Sequence, residues 1–172
     1  MVSISIIVPA YNEEKNIRKT IQDIKNSIRK LKYKSEIIVV DDGSTDKTSK
    51  ILPTINGISI IKHAINKGYG ASLKTAIKKS NSDYILIIDA DGTYPASSIP
   101  ELLRYSGKYD MVVGARTGEV VRTPFFRKPA KWFLKHFAQY LTKAKIPDLN
   151  SGLRIFKRDA ALRFMNLFPD GF

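Results

Sequence analysis

Two aspartates set two residues apart, Asp89 and Asp91, stand at the end of an apolar run from Tyr84 to Ile88 and are followed by Gly92. A short run rich in Ile is what a strand buried on both faces looks like. Where such a strand leaves its sheet, alternation sends Ala90 one way and the two acids the other. Carboxylates this close repel each other unless a cation lies between them. Hard divalent ions take oxygen ligands, commonly one or two carboxylates completed by substrate phosphates and water. The pair therefore predicts a Mg²⁺ or Mn²⁺ site for a diphosphate. An isolated pair would read as solvated turn acids; one that ends a buried strand of an open α/β pattern reads as a site.

The elements that must position these acids alternate along the chain. Ser3 to Val8 is strand-like, with Pro9 as its stop. Asn12 is placed to cap a helix whose first turn would hold Glu13 and Glu14. Ile17, Ile21, Ile24, Ile28 and Leu31 then recur at helical steps. Glu36 to Val40 is a second buried strand, ending in Asp41-Asp42-Gly43-Ser44, and Ser44 can cap a short helix that Pro53 ends. Ile58 to Lys62 is a third strand, and a helix through Ala76 and Lys79 follows Gly70. The acid-bearing strand is the fourth, Pro100 to Tyr105 is helical, and Met111 to Ala115 is the fifth strand. This order predicts an α/β fold: an open, mostly parallel sheet with helices on both faces. Ligands of such sheets bind beyond the carboxyl ends of the strands. Those ends read Pro9-Ala10-Tyr11-Asn12-Glu13, Asp41-Asp42, Asp89-Ala90-Asp91 and Gly114-Ala115-Arg116, so acids, an aromatic and an arginine converge on one edge.

Composition bounds the chemistry. The 172 residues are the size of one domain. With no cysteine, disulfides and thiolate metal sites are excluded, which fits a reducing compartment. The N-terminal apolar run is short and lacks a preceding basic region, so it reads as a strand and not a signal peptide. No window approaches the roughly 20 apolar residues needed to span a bilayer. A formal charge of +13 points to anionic partners: phosphate ligands, an anionic membrane surface or nucleic acid.

Four stretches together, VPAYNEE at 8–14, DDGSTD at 41–46, NKGYGASL at 66–73 and DADGTYP at 89–95, resemble the family 2 glycosyltransferases of the GT-A fold. DLNSGLRIFKRD at 148–159 is similar to a stretch of the polyprenyl-phosphate (dolichyl-phosphate) sugar synthases within that family. The resemblance covers nearly the whole chain as one GT-A domain. It implies that Pro9, Ala10, Tyr11 and Glu13 hold the nucleoside, with Glu13 accepting from ribose hydroxyls. It implies further that Asp42 accepts from a uracil or guanine N–H, and that Lys67 and Gly68 lie near the nucleotide. Asp89 and Ala90 would line the donor site, and Asp91, with Asp89, would hold the metal. Asp148 would be a base or orienting group near the acceptor. Thr93 stands where many dolichyl-phosphate mannose synthases carry Gln. The chain stops in a loop-like PDGF, which reads as a domain truncated at its C-terminus.

Each role has a plainer rival. Glu13 could be a helix-dipole acid, Asp41 or Asp42 a turn residue, Asn66-Lys67-Gly68 merely a turn, and Asp148 an acid after a proline. The DADGT run also matches the opening of haloacid-dehalogenase-type phosphatases, which would make Asp89 a nucleophile; three strand–helix units precede it here, where that motif opens its domain. Val120 to Pro147 holds seven Lys or Arg and no acid, interleaved with aromatics. Phe133, Phe137, Tyr140 and Leu141 at helical spacing, flanked by Lys131, Lys135 and Lys143, form a basic amphipathic helix of the kind that lies in a membrane interface. An ordinary surface helix with its stripe in the core is the alternative. Nucleic acid ranks below both, since no recognition motif accompanies the basic-aromatic pattern. Arg116, Arg122 and Arg127 could grip an acceptor phosphate.

The expected activity is an inverting, metal-dependent transfer of a hexose from a nucleotide-sugar, GDP- or UDP-linked, to a polyprenyl or dolichyl phosphate. The enzyme would sit peripherally at the cytoplasmic face of the membrane, with Asp91, Asp148 and Arg116 at the reacting groups. The alternatives are a transferase acting on a saccharide hydroxyl, or an inactive nucleotide-binding module. Neither the sugar nor the oligomeric state is written in the sequence.

Overall fold

A computed structural model describes residues 2–115, 136–137, 139–141, 143, 148 and 151–171. The chain divides into two compact units, Met1–Val113 with Gly152–Phe172, and Gly114–Ser151. The first unit holds a six-stranded sheet: β1 (Ser3–Ala10), β2 (Lys34–Asp41), β3 (Ser59–Lys62), β4 (Tyr84–Ile87), β5 (Met111–Val113) and β6 (Arg154–Lys157). Their order is β3-β2-β1-β4-β6-β5. The first four run parallel; β6 is antiparallel to both β4 and β5. The helices are α1 (Ile17–Ile28), α2 (Thr48–Ile51), α3 (Tyr69–Lys79), α4 (Ile99–Arg104) and α5 (Arg158–Phe164).

The apolar runs form strands because both faces of the sheet are covered. Ile4, Ile6 and Val8 of β1, with Ile37, Val39, Leu86 and Ile155, pack under Ile17, Ile21 and Ile24 of α1 and Ile99, Leu102 and Leu103 of α4. On the other face Ile7, Ile38, Val40, Ile85, Ile87 and Phe156 meet Ala76 and Ile77 of α3, Ala161 of α5 and Met165 just after it. Full burial of each such Ile or Leu contributes roughly 1.5–3 kcal/mol, so α1 is held by its stripe and not by a strong cap. The expected α/β architecture, with a mostly parallel sheet, is observed.

Three local expectations are corrected. Pro9 does not end β1, which continues to Ala10 in register with Asp41. The Ile7 carbonyl accepts from Ile88 N–H on the β4 side, and the Ala10 carbonyl accepts from Asp42 N–H on the β2 side. By alternation the missing Pro9 N–H falls on the β4 side, where pairing ends at Ile7 and Ile87. The proline thus parts β1 from β4 and leaves β1 on β2. Asn12 does not cap α1; it has a left-handed φ of 56°, and its Oδ1 accepts from Thr45 N–H at 2.8 Å and Asp46 N–H at 3.2 Å. The helix starts later, with Asn16 as its N-cap. Ser44 does not cap α2: its hydroxyl accepts from Asn12 N–H at 3.0 Å, and Thr48 N–H at the helix start bonds Asp46 instead. Strand β6 was not expected.

Candidate active site

Because β1 has β2 on one side and β4 on the other, strand order reverses between β1 and β4, and a crevice opens beyond their carboxyl ends at such a switch point. Ala10 is buried and Tyr11, just beyond it, is 46 % exposed at the rim. Strand β5 runs parallel to β4, so Val113 ends at the same edge. Antiparallel β6 starts there, which brings Gly152–Arg154 to the crevice.

The loops after β1 and β2 lock each other. Thr48 Oγ1 accepts from Glu13 N–H at 2.8 Å, and Glu14 Oε2 accepts from Lys47 N–H at 3.0 Å while Glu14 N–H donates to Asp46. The Glu13 carboxylate accepts from Asn16 Nδ2 at 3.1 Å. It precedes α1 and lies outside its first turn, so the helix-dipole role falls away. Asp41 takes the turn role, accepting from Ser44 N–H at 3.0 Å and from the Ser49 hydroxyl. Gly43 is required by this packing: at φ +71° a Cβ would lie 2.5 Å from the Ile65 carbonyl carbon.

Asp42 organises the other wall. It is 5 % exposed. Its Oδ1 accepts from His63 Nδ1 at 2.6 Å and Lys67 N–H at 3.0 Å; its Oδ2 accepts from Gly68 N–H at 2.8 Å. Burial acts to raise its pKa, but these donors outweigh burial and hold the carboxyl below the ordinary range. Lys67 and Gly68 are thereby fixed at the entry to α3, and Lys67 itself is exposed.

From that entry the chain reaches the acid pair. The Tyr69 hydroxyl donates to Asp89 Oδ1 at 3.0 Å. Burial and the Asp89 charge push the phenol above its usual range, so it remains a donor. On its other side Asp89 abuts Gly152, where a Cβ would stand 1.8 Å from Oδ2. The buried Thr20 hydroxyl of α1 donates to the Ala90 carbonyl at 2.9 Å. Asp91 is exposed and accepts Thr93 N–H at 2.8 Å. As alternation predicts, Ala90 is buried while the two acids are not.

A divalent ion fits these donors. Asp89 and Asp91 offer only oxygen, as Mg²⁺ and Mn²⁺ prefer, and Gly152 leaves the space that Asp89 occupies. No group of three or more His, Cys, Asp or Glu that could hold a metal is found among the described residues. Two protein carboxylates with a diphosphate and water are the usual alternative for such an ion.

Asp42, Lys67, Gly68, Tyr69 and Asp89 thus form one bonded path along the crevice. Thr20, His63, Tyr69 and Gly152 are its unforeseen members, each acting by touching a residue far away in sequence. Asp148 and Ser151 belong to the second unit, in which the Ser151 hydroxyl donates to the Gly114 carbonyl at 2.6 Å. Arg116, Arg122 and Arg127 lie outside the described residues, as do Lys131, Phe133 and Lys135. Phe137, Tyr140 and Leu141 are described and are 49 %, 79 % and 64 % exposed. No helix among the described residues is long and apolar enough to cross a membrane.

The six-stranded mixed sheet, with its strand order reversing between β1 and β4, is the GT-A architecture, which solved structures share. The solved glucosyl-3-phosphoglycerate synthase from Mycobacterium tuberculosis, in complex with Mn²⁺, UDP-glucose and phosphoglyceric acid, aligns at TM-score 0.70 and 21 % identity over 92 % of this chain and 57 % of that one. The family model described as Glycosyl transferase family 2 matches residues 5–164, and the chain belongs to that family. A low-salt glycan biosynthesis hexosyltransferase of Haloferax volcanii is 34 % identical over 92 % of this chain and 39 % of its own length. A dolichyl-phosphate beta-glucosyltransferase of Dictyostelium discoideum is 30 % identical over 98 % of this chain and 57 % of its own. The chain therefore spans about half the length of these two relatives.

Proposed function

We propose that the chain carries the donor-binding part of an inverting, metal-dependent hexosyltransferase that moves a sugar from a nucleoside diphosphate to a polyprenyl phosphate at the cytoplasmic membrane face. One observation carries the reading: a bonded path runs from the buried Asp42 carboxylate through Lys67–Gly68 and Tyr69 to the Asp89 carboxylate. The names of relatives acting on dolichyl phosphate support the lipid acceptor, and the solved neighbour with Mn²⁺ and UDP-glucose supports the donor and the ion.

In this reading Pro9, Ala10 and Tyr11 form the wall against the nucleoside, and Glu13 accepts from the ribose hydroxyls. Asp42 accepts an N–H of the base. Asp89 and Asp91 would hold Mg²⁺ or Mn²⁺, which when bound neutralises the diphosphate and improves it as a leaving group. Tyr69 keeps the Asp89 carboxylate oriented by donating to Oδ1, and Gly152 leaves it room. Arg116, Arg122 and Arg127 receive the acceptor phosphate, a nucleophile already ionised near neutral pH, so Asp148 orients the acceptor and need not be a strong base. Attack opposite the leaving group inverts the anomeric carbon.

The test is calorimetry of nucleoside diphosphate binding with Mn²⁺, on the wild type and on Asp91→Asn, beside an assay for sugar transfer to a short polyprenyl phosphate. Metal-dependent binding is expected to vanish in the variant. Unchanged binding would remove the metal assignment. Transfer to a saccharide hydroxyl in place of the lipid would assign the acceptor class otherwise.

A further inference from the structure

His63 is a buried titratable side chain, 5 % exposed, that the proposed chemistry leaves unused. Its backbone N–H donates to the Asp41 carbonyl at 2.9 Å just beyond β3, which fixes where the ring starts. The ring is then held at both nitrogens: Nδ1 lies 2.6 Å from Asp42 Oδ1 and Nε2 lies 3.1 Å from Thr75 Oγ1. An ionised carboxylate only accepts, so Nδ1 carries the proton on the Asp42 side.

The consequence is arithmetic of lone pairs. A carboxylate offers about four acceptor positions, two on each oxygen. In Asp42 both positions of Oδ1 are filled, by His63 and by the Lys67 amide, and one position of Oδ2 is filled by the Gly68 amide. A single acceptor remains, on Oδ2. The pairing edge of uracil carries one donor, N3–H, between two carbonyls. Guanine carries two adjacent donors, N1–H and the N2 amino group, whose natural partner is both oxygens of one carboxylate. Adenine and cytosine present a lone pair at the central ring nitrogen and are repelled. A guanine set against Asp42 would leave its amino group facing an oxygen already saturated, and unpaired polar groups in a buried site are what give such sites their discrimination.

We propose that this chain selects a uridine diphosphate donor over a guanosine one, and that His63 sets the selection by filling the Asp42 oxygen that a guanine amino group needs. The inference rests on the reading that Asp42 meets the base. His63 is a positioning residue here: it acts on the base only through Asp42, with Thr75 holding the far side of its ring.

UDP and GDP share the diphosphate and the ribose, so their comparison cancels the metal and phosphate contributions. Calorimetry of the wild-type chain with Mn²⁺ should give UDP tighter than GDP by on the order of tenfold, the factor that one lost hydrogen bond commands. His63→Leu, which fills volume without a donor, should bring the ratio toward one by freeing Oδ1. His63→Asn, whose amide nitrogen stands near the place of Nδ1, should restore it. Wild-type GDP affinity equal to or above that of UDP overturns the proposal without any variant, and so does a His63→Leu protein that weakens both nucleotides equally. Asp42→Asn separates the two levels of the argument. If it changes neither affinity, Asp42 does not read the base; if it weakens both while the wild type shows no preference, the reading of Asp42 stands and only the role of His63 fails.

Discussion

At the scale of single residues, the acid pair depends on a neighbour with no functional group. Gly152 touches Asp89 closely enough that a methyl would sit 1.8 Å from Oδ2, a separation no rotamer of a fixed backbone relieves without moving the carboxylate. Misplacement of a catalytic group by about 1 Å can cost on the order of 10²-fold. Gly152→Ala is therefore expected to lose Mn²⁺-dependent nucleotide affinity by about that factor while keeping a folded circular dichroism spectrum. Retained affinity would show that Asp89 is not a ligand. Asp42 gives a second prediction, in pH. Its folded pKa lies below the ordinary carboxylate value of about 3.9, so the unfolded chain binds the proton more readily. The stability that Asp42 contributes is complete above that unfolded value and is lost as pH falls through the lower folded one. Urea melts should accordingly find Asp42→Asn more destabilising at pH 7 than at pH 3; an equal penalty at both would deny that the charge matters. The placing of Asp42, Asp89 and Asp91 at one edge of the sheet could be anticipated because acids at strand ends carry their own signal. Those of His63, Tyr69, Thr20 and Gly152 could not, because each works through a contact 20 or more residues away.

Elements were legible to the degree that burial imposes a pattern. The parallel strands are covered on both faces and read as apolar runs, and α1 shows its Ile17, Ile21, Ile24 stripe openly. Strand β6 escaped because it has four residues, with only Ile155 and Phe156 buried between Arg154 and Lys157. It is known as a strand only by its pairing with β4 and β5. The start of α1 differs for a related reason: Asn12 is a good cap by type, but the Thr45 and Asp46 amides in the loop after β2 compete for its carbonyl oxygen. The basic aromatic segment is the element with a use still to be tested. Phe137, Tyr140 and Leu141 are spaced i, i+3 and i+4, and all three are exposed, which is the stripe an interfacial helix turns toward lipid. Replacing the three by Ser should weaken sedimentation with anionic vesicles several-fold and leave nucleotide affinity unchanged. Vesicle binding that persists would return the stripe to packing within the protein.

For the whole molecule the governing quantity is charge. Twenty-nine Lys and Arg face 16 acids, and seven of those cations fall between Val120 and Pro147, where no acid occurs. The remaining 144 residues, with 22 cations and 16 acids, carry +6. More than half of the net charge of +13 thus lies in 28 residues that also hold the exposed aromatic stripe. A cation near an anionic membrane surface contributes about 1 kcal/mol, and that attraction dies within a Debye length, about 10 Å at 0.1 M salt and about 3 Å at 1 M. Burial of the stripe, being hydrophobic, does not weaken with salt in this way. The two contributions can therefore be told apart on one protein. Vesicles containing anionic lipid should bind the chain strongly at low salt and lose most of it by about 0.5 M. Replacing Lys131, Lys135 and Lys143 by Glu should reproduce that loss at low salt. Neutral vesicles should retain only the weak, salt-insensitive remainder due to the aromatics. Binding that ignores both salt and the three lysines would mean that the positive charge of this segment does not serve a membrane surface.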